Sequence, residues 1–210
     1  MRGPCARFLL TTPGMSFLPW RPPTLLPLID RPARDALTRA QLGPVAVLGP
    51  ALLGLTLMVI STTVGLALAG ATQQLEPTLR ALLEAVLLAT PVFVALTTLT
   101  VHRLTPDTTL AGLAVSLAIG GMSAMLVLPL LAFLHLCTLE NADSAPISLL
   151  ARTVMQLMAP ATFLLGVSVG LSRFVGAFAP RAGRNLAWLF ALSSFAVLLL
   201  HVSPSPGAHP

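Results

Sequence analysis

Charge is what this chain has least of. Charged residues make up 9% of the sequence and hydrophobic ones 55%, where a soluble domain carries about 25% charge. With a mean hydropathy of +0.88, an ordinary water-soluble domain is excluded. Lysine and tyrosine are absent, so all 12 basic residues are arginine. A net charge of +5 and a pI near 11.3 do not make a nucleic-acid reader, because such proteins gather basic residues on one soluble face. The two cysteines, Cys5 and Cys137, are too few and too far apart for a zinc or redox motif. Near the N-terminus only Phe8 to Leu10 are apolar in a row, too short for the apolar region of a signal peptide, so the N-terminus is expected to be retained. No nucleophile and base motif, phosphate-binding glycine loop or zinc spacing is present. Neither a cofactor nor a metal is expected.

Long neutral runs take the place of charge. From Val45 to Gln74 there is no charged residue, and about 20 apolar residues suffice to cross a bilayer core. The sequence predicts an all-α, multi-pass transmembrane bundle of about five spans: Val45 to Ala69, Leu79 to Val101, Leu110 to Leu136, Thr153 to Phe178 and Leu186 to His201. The last is short and carries the polar pair Ser193-Ser194, so a re-entrant or tilted segment is its alternative. Cytoplasmic loops collect arginine. With the N-terminus inside, Arg2, Arg7, Arg21, Arg31, Arg34, Arg39, Arg103, Arg173, Arg181 and Arg184 share one side, leaving only Arg80 and Arg152 opposite. Three territories result. Residues 1–42 are an Arg/Pro-rich cytoplasmic segment, 43–203 the transmembrane helical domain and 204–210 a short polar tail. Inside the first, Pro32 suits a helix start, Asp35 and Arg39 lie at i and i+4, and Ala33, Ala36, Leu37 and Ala40 form a weak apolar face for the membrane surface. Gly43-Pro44 should end that helix.

Within the spans, small residues and proline recur. Span three offers Gly112, Ser116, Gly120 and Ala124 on one face, and span four offers Gly166 and Gly170; these faces are expected to make the tightest helix contact, either inside one bundle or as a homodimer seam. Pro50, Pro91, Pro129 and Pro160 each remove a backbone hydrogen bond and favour a kink, with Thr90 and Thr162 placed to satisfy freed carbonyls. Glu84 is the main charge inside the hydrocarbon. Together with Glu76 and Arg80 it forms an acid, base, acid row at i, i+4 and i+8, read either as a neutralised helix end or as a proton or cation foothold. Gln156 could hydrogen-bond across helices and completes the candidate intramembrane polar set. His135, Glu140 and Asp143 share the outer side and form the polar cluster that an enzyme acting on lipid would have to use.

Two stretches also carry a family resemblance. LGPALLGLTLMVIST, with Gly49, Pro50 and Gly54, resembles the segment that opens a long span in the YihY/BrkB family of bacterial inner-membrane proteins. HRLTPDTTL, with Arg103 and Pro106, is similar to that family's Arg-Leu-Leu-Pro-Asn-Thr pattern, and AGLAVSLAIGGMSA to its Gly-Ala-rich helix. Without tyrosine the family's Tyr-Gly motif has no counterpart, so the resemblance implies a shortened or divergent member lacking the N-terminal half. It implies a helical bundle in the bacterial cytoplasmic membrane, transporter-like or envelope-structural in role; the ribonuclease label once attached to the family is disfavoured, since no clustered acids are available to hold two metals. The expected partners are the lipid bilayer and a homo-oligomer or another membrane protein, not nucleic acid.

Overall fold

The computed structural model describes residues 32–102, 104–140 and 145–202, without the side chains of residues 140, 145–149, 182–183 and 197–202. All regular structure among them is helical: α1 (Pro32–Leu42), α2 (Pro44–Leu68), a 3-10 turn (Thr72–Gln74), α3 (Leu75–Thr100), α4 (Pro106–Leu126), α5 (Leu128–Glu140), α6 (Ala145–Gly176) and α7 (Pro180–Val202). Among the described residues four stretches are long and apolar enough to cross a membrane: Pro44–Leu68, Thr72–Thr100, Pro106–Leu139 and Leu150–Gly176. The segment expected as a fifth span forms α7, which is not one of those four.

Local chemistry sets the boundaries. Gly43, at φ 96°, takes a left-handed conformation that glycine tolerates, and Pro44 then opens α2 at the position where proline's missing N–H costs nothing. Thr105 caps α4: the Thr108 amide donates to Thr105 Oγ1 at 3.4 Å and the Thr105 amide to Thr108 Oγ1 at 3.0 Å, so each threonine satisfies an end the helix leaves open. Pro106 follows as the first helical residue. The third expected span is divided. α4 ends at Leu126 and α5 starts at Leu128, with Val127 between them donating its amide to Ala124 and Met125. Pro129 explains the break, because it withholds the N–H that would continue the ladder from the Met125 carbonyl.

α4 is the axis of the bundle. Every residue from Ala111 to Gly121 is buried, held chiefly between α2 and α6, while α3 and α7 pair with each other and α7 joins α6. Since lipid supplies little hydrophobic drive, this arrangement depends on close fit. Gly54 and Gly121 bring α2 and α4 together: a Cβ on Gly121 would lie 2.5 Å from the Gly54 carbonyl oxygen, and one on Gly54 2.6 Å from the Ala118 nitrogen. On the opposite side, a Cβ on Gly166 would lie 2.8 Å from Gly120 Cα, and one on Gly170 2.9 Å from Ser116 Cα. Phe174 lies over Gly112, and Ala124 is fully buried.

α1 folds back on the bundle, mainly against α4, with Ala36 fully buried and Leu37 left exposed. Its Arg39 is paired with Asp35 at 2.6 Å and also donates from Nη1 to the Ala46 carbonyl at 3.3 Å. That carbonyl is the one deprived by Pro50, four residues on. The arginine therefore replaces the missing backbone donor and ties α1 to the first kink of α2. The two groups should be coupled. Arg39→Met is expected to lower stability by about 1 kcal/mol when Pro50 is present, and by clearly less in a Pro50→Ala background, where the backbone regains its own donor. Thermal unfolding of the four variants in detergent measures this, and equal losses in both backgrounds would refute the link.

The other prolines are served differently. Thr90 Oγ1 donates to the Val86 carbonyl at 2.6 Å, and Thr162 Oγ1 to those of Met158 and Ala159 at 2.8 and 3.0 Å. The carbonyls freed by Pro91 and Pro160 belong to Leu87 and Gln156, so the threonines do not fill the role expected of them. A hydroxyl on a helix reaches back three or four residues from its own position: Thr90 takes the carbonyl one residue beyond Leu87, and Thr162 stops two or three residues short of Gln156.

Candidate functional site

Polar side chains in the bundle fall into two kinds. Most hydroxyls bond within their own helix: Ser116 to the Gly112 carbonyl at 2.7 Å, Ser123 to Ile119 at 2.9 Å and Ser168 to Leu164 at 2.8 Å. They satisfy themselves locally, as apolar surroundings require. Three buried hydroxyls, on Thr62, Thr97 and Ser194, have no partner among the described residues, and they lie on three different helices.

The second kind is the charged corner at the start of α3. Pro77 and Glu76 sit in the first turn, where an acid complements the helix dipole. One turn on, Arg80 Nε donates to Glu84 Oε1 at 2.8 Å, with the arginine side chain 75% exposed and the glutamate 37%. An open depression of about 740 Å³ runs past Thr72, Gln73, Glu76, Arg80 and Glu84. Glu84 is thus on the perimeter of the bundle, neutralised by its own helix. Gln156 does not line this depression; it is half-buried on α6, which shares no extended contact with α3. The three members of the intramembrane polar set are not brought together.

Of the outer cluster, His135 is half-buried on α5, and its carbonyl accepts from Thr138 Oγ1 at 2.7 Å. The Glu140 side chain and Asp143 lie outside the described residues, as does Arg103 of the family-like motif. Within that motif Pro50 and Gly54 are buried against the core, Gly49 faces open space, and Pro106 starts α4. Among the described residues no group of three or more His, Cys, Asp and Glu is placed to hold a metal.

Sequence reasoning missed two troughs along the outside of the bundle. One, between α3 and α7, is lined by Ser193 and otherwise by apolar residues around the edge-to-face pair Phe93 and Phe190, whose ring centroids are 5.9 Å apart. The other, of about 250 Å³ between α6 and α7, has Arg184 and Ser172 at one end and Leu165 and Ala191 at the other. Neither shows in a linear sequence, because each is formed by two helices. The antiparallel turn around Pro180 and the alternation of small with large residues were the available signals. No family model matches the chain, and no curated protein or solved structure matches it either.

Proposed function

We propose that the protein is a structural component of the bacterial cytoplasmic membrane: a rigid helical core, N-terminus inside, that works through its lipid-facing perimeter. One observation carries the reading, the seating of α4. A transporter keeps its site near the midplane, at interrupted helices that expose backbone to the substrate. Here the middle of the bundle is a continuous helical turn sequence from Ala111 to Gly121, buried throughout and gripped by glycine contacts on two sides. Its hydroxyls are spent on their own helix. The resemblance to the YihY/BrkB family supports the same membrane and an envelope role.

Substituted-cysteine labelling tests it. With Cys5 and Cys137 changed to serine, Ser116→Cys in native membranes should resist a water-soluble thiol reagent for as long as Gln73→Cys, on the exposed turn before α3, takes to label fully. Rapid labelling at position 116 would mean that water reaches the centre, and would overturn the structural reading. The Glu84–Arg80 corner favours a second reading, proton or cation transport. In that case proteoliposomes should show a flux above protein-free vesicles that Glu84→Gln abolishes.

A further inference from the structure

The trough between α6 and α7 has the polarity of a phospholipid. Arg184 and Ser172 line one end, Ser168 and Ala187 the middle, and Leu165, Val169 and Ala191 the other end with Trp188. The helices run antiparallel from the short turn before Pro180, so Arg184 to Ala191 spans about 10 Å along the axis. Depth comes from the side chains: serine and alanine form the floor, and the larger Leu165, Val169 and Trp188 stand 54%, 49% and 58% exposed as walls. Leu165 and Val169 also border a second apolar trough between α4 and α6, beside Ser123 and Thr162, so the track continues deeper. Charge adds direction. Arg173 ends α6 and Arg181 begins α7, both exposed, around the same turn. The trough lining includes no acid, and among the described residues no acid pairs with Arg184.

We infer that this trough holds one anionic phospholipid of the cytoplasmic leaflet, its phosphate on the Arg184 guanidinium and the Ser172 hydroxyl and one acyl chain between Leu165 and Trp188. A guanidinium matches phosphate oxygens in pairs, and basic pockets between membrane helices are known acceptors for such headgroups. The inference rests on the orientation proposed above, with the turn before Pro180 on the cytoplasmic side and α6 and α7 in the bilayer, but not on the structural role, so quenching can fail while Ser116 stays closed to water.

Trp188 is itself the probe. The sequence has two tryptophans, and Trp20→Phe leaves Trp188 as the only one. The full chain is reconstituted in phosphatidylcholine vesicles containing increasing fractions of phosphatidylglycerol or phosphatidylcholine with brominated chains, which quench tryptophan on contact. Brominated phosphatidylglycerol should reach half-maximal quenching at about fivefold lower mole fraction, the advantage one arginine has at an anionic surface. Arg184→Gln should remove that preference and leave quenching by brominated phosphatidylcholine unchanged, whereas Arg181→Gln should keep most of it. Ala191→Leu, which fills the trough with the arginine intact, should also lose it, in a chain whose helicity by circular dichroism is unaltered. Millimolar inorganic phosphate should not compete, since the chain is part of what binds. Equal quenching by the two lipids, a preference that survives Arg184→Gln, or one removed by free phosphate would each overturn the proposal.

Discussion

Gly54→Ala, a single added methyl group, is expected to cost about 3 kcal/mol, the upper end of what overpacking usually does. Most small-to-large changes are eased by a neighbouring side chain turning aside. Here the new carbon would meet the backbone of Leu117 and Ala118, and a helix cannot retreat locally from its own main chain. The only relief is to pull α2 from α4, which would undo the contact between Gly54 and Gly121 as well. Against a total stability of roughly 5–15 kcal/mol the loss is severe. Gly49, five residues earlier in the same helix, is the internal control. No neighbouring helix lies within 4 Å of a Cβ there, and the gain in helix propensity is offset by the restriction Pro50 places on the residue before it, so Gly49→Ala should be near neutral. Unfolding of both variants in a mild detergent decides it: a large loss is expected only at Gly54, and similar midpoints would show that the crossing is looser than described.

Phe163→Ala should destabilise by about 2 to 3 kcal/mol. Phe163 is fully buried on α6, and its ring lies beside Gly120 on α4. In water-soluble proteins such a truncation costs about 3–5 kcal/mol, part of it from transfer out of water. That part is small in a bilayer, where lipid tails are as apolar as the core. What persists is the void: on the order of 100 Å³ at about 24 cal/mol per Å³ gives roughly 2.4 kcal/mol. Phe133, 61% exposed on α5, loses only lipid contacts when changed to alanine and should be near neutral. A comparable loss at both positions would mean that packing around α4 does not dominate stability.

These residues also show how far a linear reading extends. Membrane helices are legible because their signal is local: a neutral run such as Val45 to Gln74 excludes water along its whole length. Helix ends are legible for the same reason, as at Pro32, Gly43-Pro44 and Pro106. The division at Val127 is half legible, since Pro129 predicts a kink, but whether a proline bends a helix or ends it depends on what the neighbouring helices hold in place. Partners are another matter. A row such as Gly112, Ser116 and Gly120 states that something comes close, and the expectation sets it against Gly166 and Gly170; which residues meet, Gly166 at Gly120, Gly170 at Ser116 and Phe174 at Gly112, only the fold supplies. In the sequence Gly54 belongs to a family-like motif, and only the fold makes it the point where two backbones meet. Glu84 shows the opposite difficulty: its place in the hydrocarbon run suggested an interior charge, while the rotation of α3 puts it on the perimeter beside Arg80. The bond from Arg39 to Ala46 required knowing that α1 folds back.

The position of α4 in the chain gives its burial a further meaning during synthesis. Its seat on α2 precedes it, but the other half of its cover, from Phe163 to Phe174 on α6, is made later. At roughly 5–20 residues per second, the chain from Leu126 to Phe174 takes about 2 to 10 s to emerge. For that interval the helix meant for the centre stands at the edge of an unfinished assembly, its glycine and serine face turned to whatever else is in the membrane. A ribosome that stalls before α6 releases a half-bundle whose most adhesive surface is uncovered, so the order of translation, and not the finished structure, sets the moment at which this protein is easiest to mispair.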